Sequence, residues 1–418
     1  MCSDMADLIM RQLNSLFLTA VLVVLAAAQE TNAPLEFWSR DQLTGDWGGA
    51  RSDVKELGVD FTFEYDAQFF SVVSGGVDRG AAYMGLGYAA MDMDLEKLVG
   101  WGGGKFFASA MWLHGESPGQ YIGNELAVSN IDAYDGVRLH EMYLGQDIGN
   151  LRLKAGSLLA EDDFVESVYR DILINDAFGP PASWSANTLN AGPTFQSAGL
   201  GIHVRYDITR ATYVQAGIYD GDIFDNAAGD PAINQHGVHF ELGKGQGWTS
   251  LYQIGYNGFE VSDGTDLPGW YRLGVWHHSA QFEQHDGSTT EGNGGIIASI
   301  DQMVYRELGD QGLGSFLRFG VAERDRSRFH WTLDTGLNYA GLFPGRDEDV
   351  IALGIVYAKH SSAITTTRSH ETMMELAYQY QLTPAIYLQP DIQWISRPSG
   401  DNSIGDAWVI GLRAGFTF

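Results

Sequence analysis

The segment 407–418 restricts the possible folds more than any other stretch, because its side chains sort by twos. Trp408, Ile410, Leu412, Ala414, Phe416 and Phe418 fall on one face, and Val409, Gly411, Arg413, Gly415 and Thr417 on the other. Successive side chains of a strand leave on opposite sides, so this pattern marks a strand with one apolar face. A soluble β-sandwich could use such a strand at its edge. An outer-membrane barrel would turn the even face to lipid and the odd face to the lumen, and pair the strand with its first one. Ending on an aromatic residue, Phe418, suits the barrel better.

Earlier segments repeat the pattern. Phe61, Phe63, Tyr65, Ala67 and Phe69 alternate with Thr62, Glu64, Asp66 and Gln68. Leu151, Leu153 and Ala155 alternate with Arg152, Lys154 and Gly156, and Leu200, Ile202, Val204 and Tyr206 with His203, Arg205 and Asp207. Phe329, Trp331, Leu333, Leu337 and Tyr339 alternate with His330, Thr332, Asp334 and Asn338. Met374, Leu376 and Tyr378 alternate with Glu375 and Gln379, and Ile392 and Trp394 with Asp391 and Gln393. A face of carboxylates and amides is costly in a packed core and ordinary in a wet lumen. The repetition favours the barrel.

About seventeen strand-like pieces follow Val59, whereas single-chain bacterial barrels have an even number. Short turns (148–150, 209–210, 383–384) alternate with longer loops, and this reconciles the count. Gly237–Gly243 and Trp248–Asn257 then form one irregular strand, interrupted at Lys244–Gly247. The expectation is an all-β, transmembrane antiparallel β-barrel of about 16 strands with both ends in the periplasm. Its longest loops, 114–137 and 160–198, are external. A loop as long as the second is usually functional, and folding into the pore is its obvious use.

Composition agrees. The 418 residues include 52 glycines and 12% aromatics, with 44% hydrophobic content. The formal net charge of −28 argues against nucleic acid as a partner, since phosphate binding needs a basic surface. The apolar run Leu16–Ala28, preceded by Arg11 and closed by Ala26–Ala28, reads as a signal peptide, so residues 1–28 are expected to be removed. Translation starts at Met1, Met5 or Met10. Cys2, the only cysteine, lies in the discarded part. Residues 29–58 form a periplasmic segment with a short helix. Asp46 caps it, Trp47, Ala50, Val54 and Leu57 lie along one side, and Gly58 ends it. That helix either covers the barrel mouth or packs on a core. Residues 59–418 are the barrel.

Four segments resemble the OprB-type carbohydrate-selective porins: Leu43-Thr44-Gly45-Asp46-Trp47-Gly48-Gly49-Ala50-Arg51, Gly341-Leu342-Phe343-Pro344-Gly345-Arg346-Asp347, Leu388-Gln389-Pro390-Asp391, and 406–418. The similarity covers nearly the whole mature chain. It implies a 16-stranded outer-membrane barrel of a Gram-negative bacterium that passes glucose-like sugars by facilitated diffusion. It also implies a pore narrowed by inward loops and lined by charged and aromatic groups.

Sugar passage needs closely spaced hydrogen-bonding groups and apolar ring faces. By inward phase the cationic candidates are Arg152, Lys154, Arg205, Arg318 and Arg413, and the carboxylates are Glu64, Asp66, Asp334 and Glu375. Each either contacts sugar or only braces and solvates the wall. Trp184 either stacks on a sugar ring or anchors its own loop. Other polar signals have plainer readings. Glu161-Asp162-Asp163 reads as a solvated loop. Asp220, Asp222 and Asp225 lack the full calcium-loop pattern and read as solvated external residues. His277-His278, at a strand end, has no metal spacing. No enzymatic activity, metal or cofactor is expected.

The expected partners are small sugars, outer-membrane lipid and lipopolysaccharide. The barrel-assembly machinery would read the strand ending at Phe418. The oligomer is a homotrimer or the protein is a monomer. The alternatives are a general diffusion porin, an outer-membrane barrel enzyme and a structural barrel.

Overall fold

The computed structural model describes residues 37–224, 229–243, 245–258, 267–307, 309, 311–361 and 368–418. The expected signal peptide, Cys2, Asp225 and Lys244 lie outside the described residues. Sixteen antiparallel strands close into a barrel in which each pairs with its chain neighbours. The first eight are β1 (Val59–Gly76), β2 (Gly80–Asp94), β3 (Gly104–Gly115), β4 (Gly136–Ile148), β5 (Leu151–Leu158), β6 (Gly199–Asp207), β7 (Thr212–Asp220) and β8 (Trp248–Gly258). The second eight are β9 (Gly269–Glu283), β10 (Thr289–Arg306), β11 (Gly312–Ala322), β12 (Phe329–Ala340), β13 (Val350–His360), β14 (His370–Thr383), β15 (Ile386–Ser396) and β16 (Gly405–Thr417). One pairing, β1 with β16, closes the ring, in the register Tyr65↔Phe416 and Phe69↔Leu412.

The alternation read from the sequence sets the two faces. Phe69, Ile202, Leu376, Ile392, Trp408, Ile410 and Leu412 are exposed on the outside, while Gln68, His203, Glu375, Gln393 and Val409 are buried inside. No described helix is long and apolar enough to cross a membrane. The strands form a closed ring with an apolar outer face, the arrangement in which strands can span a bilayer with every backbone group paired. In such barrels the short-turn end is periplasmic and the long-loop end external. Residues 116–135 and 159–198 therefore enter from outside.

Three details differ from the sequence reading. Gly237–Gly243 is not strand, since β8 begins at Trp248. Its loop instead follows the upper edge of β4, where the Leu139 N–H donates to the His236 carbonyl at 2.9 Å. Gly237 turns away at φ 63° with its Cα against the Leu139 carbonyl, where a Cβ would sit 2.4 Å from that oxygen. Phe329 leaves the outer face. A register shift between Phe329 and Trp331 turns its ring inward, 4.5 Å from the His360 ring. The helix α1 (Ala50–Glu56) begins later than expected. Asp46 still serves its start, accepting from the Ser52 N–H and hydroxyl at 2.8 Å each.

The buried side chain of α1 is Arg51, and Leu57 is exposed. The helix thus packs by hydrogen bonding rather than by an apolar stripe. Arg51 donates to the carbonyls of Phe418 (2.8 Å) and Phe61 (2.7 Å), so it bridges the periplasmic end of the β1–β16 seam.

The apolar core lies inside the barrel, between the two inward loops and the wall. Leu173, Ile174, Ala177 and Phe178 of the second loop pack with Ile122, Leu126 and Val128 of the first and with Phe316, Met373, Ile395 and Val409 of the wall. Gly354 makes the approach possible, because a Cβ there would stand 2.3 Å from the Phe178 ring. Each large side chain so buried contributes about 1.5–3 kcal/mol.

Candidate functional site

The inward rows of charge perform two different tasks, and depth within the barrel separates them. At mid-barrel the wall charges hold the loops. Glu375 on β14 accepts the Ile174 and Asn175 N–H groups at 2.6 and 2.9 Å. Glu371, four residues nearer the outer end of β14, accepts those of Glu125 and Leu126 at 2.9 and 3.0 Å. Arg318 on β11 pairs with Asp334 on β12 at 2.9 Å and donates to the Ala177 and Gly179 carbonyls. Gln393 takes the Asn175 amide on its oxygen and gives its own N–H to the Val128 carbonyl, each at 2.8 Å. The Arg318 bonds are charge-assisted, and such bonds are roughly twice as strong as neutral ones. Strand chemistry thus fixes the loop path.

The sequence left two readings for these groups, and for several of them the bracing one fits the structure. Arg318, Asp334 and Glu375 face inward as expected but are covered by the loop they hold, so none lies on the lumen surface. Arg413 is likewise nearly covered and donates to Asn130. Trp184 is fully buried among Leu158, Phe164, Tyr219 and Trp276, where it anchors its loop and has no open face for a ring. Asp220 and Asp222 are buried rather than solvated. Asp222 accepts from the Phe224 N–H at 3.1 Å and the Asn190 amide at 2.6 Å. His278 lies within β9, buried, with its Nε2 2.8 Å from the Gly221 carbonyl. Glu161–Phe164 is a helical turn folded against the wall, so Glu161-Asp162-Asp163 is not a simple solvated loop.

The remaining candidates reach the open lumen. Lys154 pairs with Asp163 of the inward loop at 2.8 Å, and its ammonium lies 5.3 Å from the Tyr143 ring centre. Register sets Arg152 directly opposite Arg205, which like charge alone would disfavour. Asp207 resolves it by accepting from Arg152 at 2.8 Å and from Arg205 at 3.0 Å. Arg205 also lies 3.7 Å from the centre of the Tyr213 ring. Asp66 accepts from the Tyr387 hydroxyl at 2.7 Å. Glu64 is exposed to the lumen, opposite Tyr88.

The structure adds an aromatic wall that the sequence did not disclose. Tyr88, Phe107 and Tyr143 all face inward, with Asp92 paired to Phe107 and Phe107 to Tyr143 across the ladder. Phe107 and Tyr143 stack with centroids 5.2 Å apart. The outward neighbours at this level are small (Gly87, Ala89, Ala108, Ala110), and the bulky outward residues Tyr83, Met91, Phe106 and Trp112 lie further along β2 and β3, so the phase is weakly marked beside the rings. Near these rings the lumen offers flat apolar faces beside ammonium, guanidinium and carboxylate groups. It can therefore contact both the C–H and the hydroxyl surfaces of a polyol. Among the described residues no cluster of His, Cys, Asp and Glu is arranged to hold a metal ion.

At the outer mouth Glu125 gathers partners, with His360 Nε2 and Arg328 each at 2.9 Å and Arg368 also bonded. Burial alone would raise its carboxyl. The bonds and charges of His360 and Arg328 outweigh burial and hold it below the ordinary value. Deeper, the two inward loops touch through the Asp176 N–H to the Ala127 carbonyl (3.0 Å) and the Asn130 N–H to the Ile174 carbonyl (2.7 Å). There, burial and the neighbouring Asp132 push the Asp176 carboxyl up to about 7.

The family model described as carbohydrate-selective porin, OprB family, matches residues 78–418. Porin B of Pseudomonas aeruginosa is 24% identical, over 93% of each chain. The putative porin QuiX of Acinetobacter baylyi is 23% identical, over 92% of this chain and 95% of its own. The high-pH structure of Pseudomonas putida OprB superposes with a TM-score of 0.82 at 22% identity, covering 91% of this chain and 99% of that one. The low-pH structure of the same protein gives 0.60 at 21% identity, with the same coverage.

Proposed function

The chain belongs to the OprB family of carbohydrate-selective porins, an outer-membrane channel family and not an enzyme family, and from that premise we propose that it passes monosaccharides by facilitated diffusion. The observation that carries the reading is the stacked Phe107–Tyr143 wall beside the Lys154–Asp163 pair. A pyranose presents C–H groups on its faces and hydroxyls at its edge. The rings take the face, and Lys154, Asp163, Glu64 and the Arg152–Asp207–Arg205 bridge take the edge. None of these contacts is deep or enclosing. Binding is weak and repeated along the wall, and a gradient alone drives passage.

Single-channel conductance in a planar bilayer, with glucose titrated in, tests this. Saturable block of the ion current is expected. Phe107→Ala with Tyr143→Ala should raise the half-blocking concentration several-fold, since aromatic contacts of this kind contribute about 0.5–1.5 kcal/mol. Steady conductance with no block at any glucose concentration would refute the sugar site and leave a general diffusion pore.

A further inference from the structure

Charges around the open lumen are unevenly partnered. The cations near the inward loop are mostly engaged: Lys105 with Asp147 (2.9 Å), Arg152 and Arg205 with Asp207, Lys154 with Asp163, and Arg272 with Asp301 (2.9 Å). Arg306, within electrostatic reach of Tyr169, has no ion pair among the described residues, and neither do the buried Arg138 and Arg413. Against these stand carboxylates with no cationic partner within ion-pair distance among the described residues: Glu64 and Asp92 on the wall, and Asp162, Glu166 and Asp171 on the inward loop. All five are exposed, and strand phase turns Glu64 and Asp92 inward. Their placement is shared: Tyr88 lies within reach of both Glu64 and Asp162, and Tyr143 within reach of both Asp92 and Asp162. Glu166 lies within reach of Asp162, and Asp171 within reach of Glu166, so the loop acids continue the wall acids in one acidic throat beside the aromatic wall.

We propose that this throat selects by charge, admitting neutral sugars and cations and turning back sugars that carry a carboxylate or phosphate. A paired carboxylate is nearly neutral at a distance, whereas an unpaired one projects its field into the channel. In a passage bounded by a low-dielectric wall, several such groups add. The sugar half of the proposal rests on the porin reading above, and the ion half does not.

The experiment is a reversal-potential measurement under a KCl gradient, on the same protein used for the glucose titration. Potassium is expected to be preferred over chloride by roughly threefold or more at low salt. The preference should fall toward unity in about 1 M KCl, where the screening length shrinks to about 3 Å. Asp162→Asn, Glu166→Gln and Asp171→Asn combined should remove most of it. In proteoliposome swelling, gluconate should enter several-fold more slowly than glucose, and the triple variant should narrow that gap. Chloride preference, a preference unaffected by salt, or gluconate entering as fast as glucose would each overturn the filter. The salt series uses the unmodified protein, so the test stands even if the triple variant does not fold. Cation preference without glucose block would retain the filter and remove the sugar site. Glucose block without cation preference would do the reverse.

Discussion

At the scale of single residues, Arg51 illustrates how one side chain joins two distant parts of the chain. Its guanidinium reaches the carbonyls of Phe418 and Phe61 and lies 5.0 Å from the Trp47 ring centre. Arg51→Met keeps the stem and removes both bonds, leaving two carbonyls to find water. A loss of about 1–3 kcal/mol is expected, read as a lower temperature for conversion of the folded, fast-migrating band on unheated gels. Conductance should not change, because Arg51 lies outside the throat. The helix was legible in the sequence, but this contact was not: spacing pointed to Val54 and Leu57, and nothing local indicates that an arginine would meet the far end of the chain. The same limit holds for Glu375, Arg318 and Asp334. Alternation states which side a residue faces, and it cannot state whether open water or a folded loop lies there. Trp184 was undecided for that reason. Glu64, Lys154 and Arg152 were legible as lumen groups because their strands carry bulky outward neighbours.

Elements show the same division between local pattern and distant packing. The two inward loops were recognisable by length, and their path is set by wall residues that read only as polar. Glu375→Ala leaves the Ile174 and Asn175 N–H groups buried without acceptors, costing about 1–3 kcal/mol each. The second loop should loosen while the barrel persists, so single-channel conductance should rise and glucose block should weaken. Unchanged conductance would mean that the apolar contacts of Phe178 and Ile174 suffice. The contact between loops should also respond to pH. Asp176 is raised to about 7, so its neutral form is favoured in the folded state. The folded state then binds more protons than the unfolded between about pH 4 and about 7, and stability falls as pH rises through that window. Hydrogen exchange at the Asp176 and Asn130 amides, corrected for intrinsic rates, should be faster at pH 8 than at pH 5. Asp176→Asn should flatten the difference. The inward turn of Phe329 was missed because a bulge shifts phase within a strand, and period-two reading assumes a constant phase.

For the whole molecule, one rule of two faces governs stability. Leu412 is exposed on the outer wall near the middle of β16. Leu412→Arg should cost about 2–4 kcal/mol if the site lies at the bilayer midplane, measured by urea titration in bilayers or detergent. Leu412→Met should be nearly silent. The barrel was the most legible level of all, since it depends on repetition over many strands rather than on any single residue.

Phe418 donates its N–H to the Phe63 carbonyl at 2.8 Å, and Leu43 donates to Thr417 at 2.9 Å. The beginning of β1 and the end of β16 are therefore neighbours, and every other contact in the ring is between strands adjacent in sequence. Chain order is then a labelling of the ring and not a property of its shape. A circular permutant that links residue 418 to residue 59 through a short flexible tether, and opens at the two-residue turn between β4 and β5, should keep the same pore. Its starting strand would be β5, and its closing strand β4.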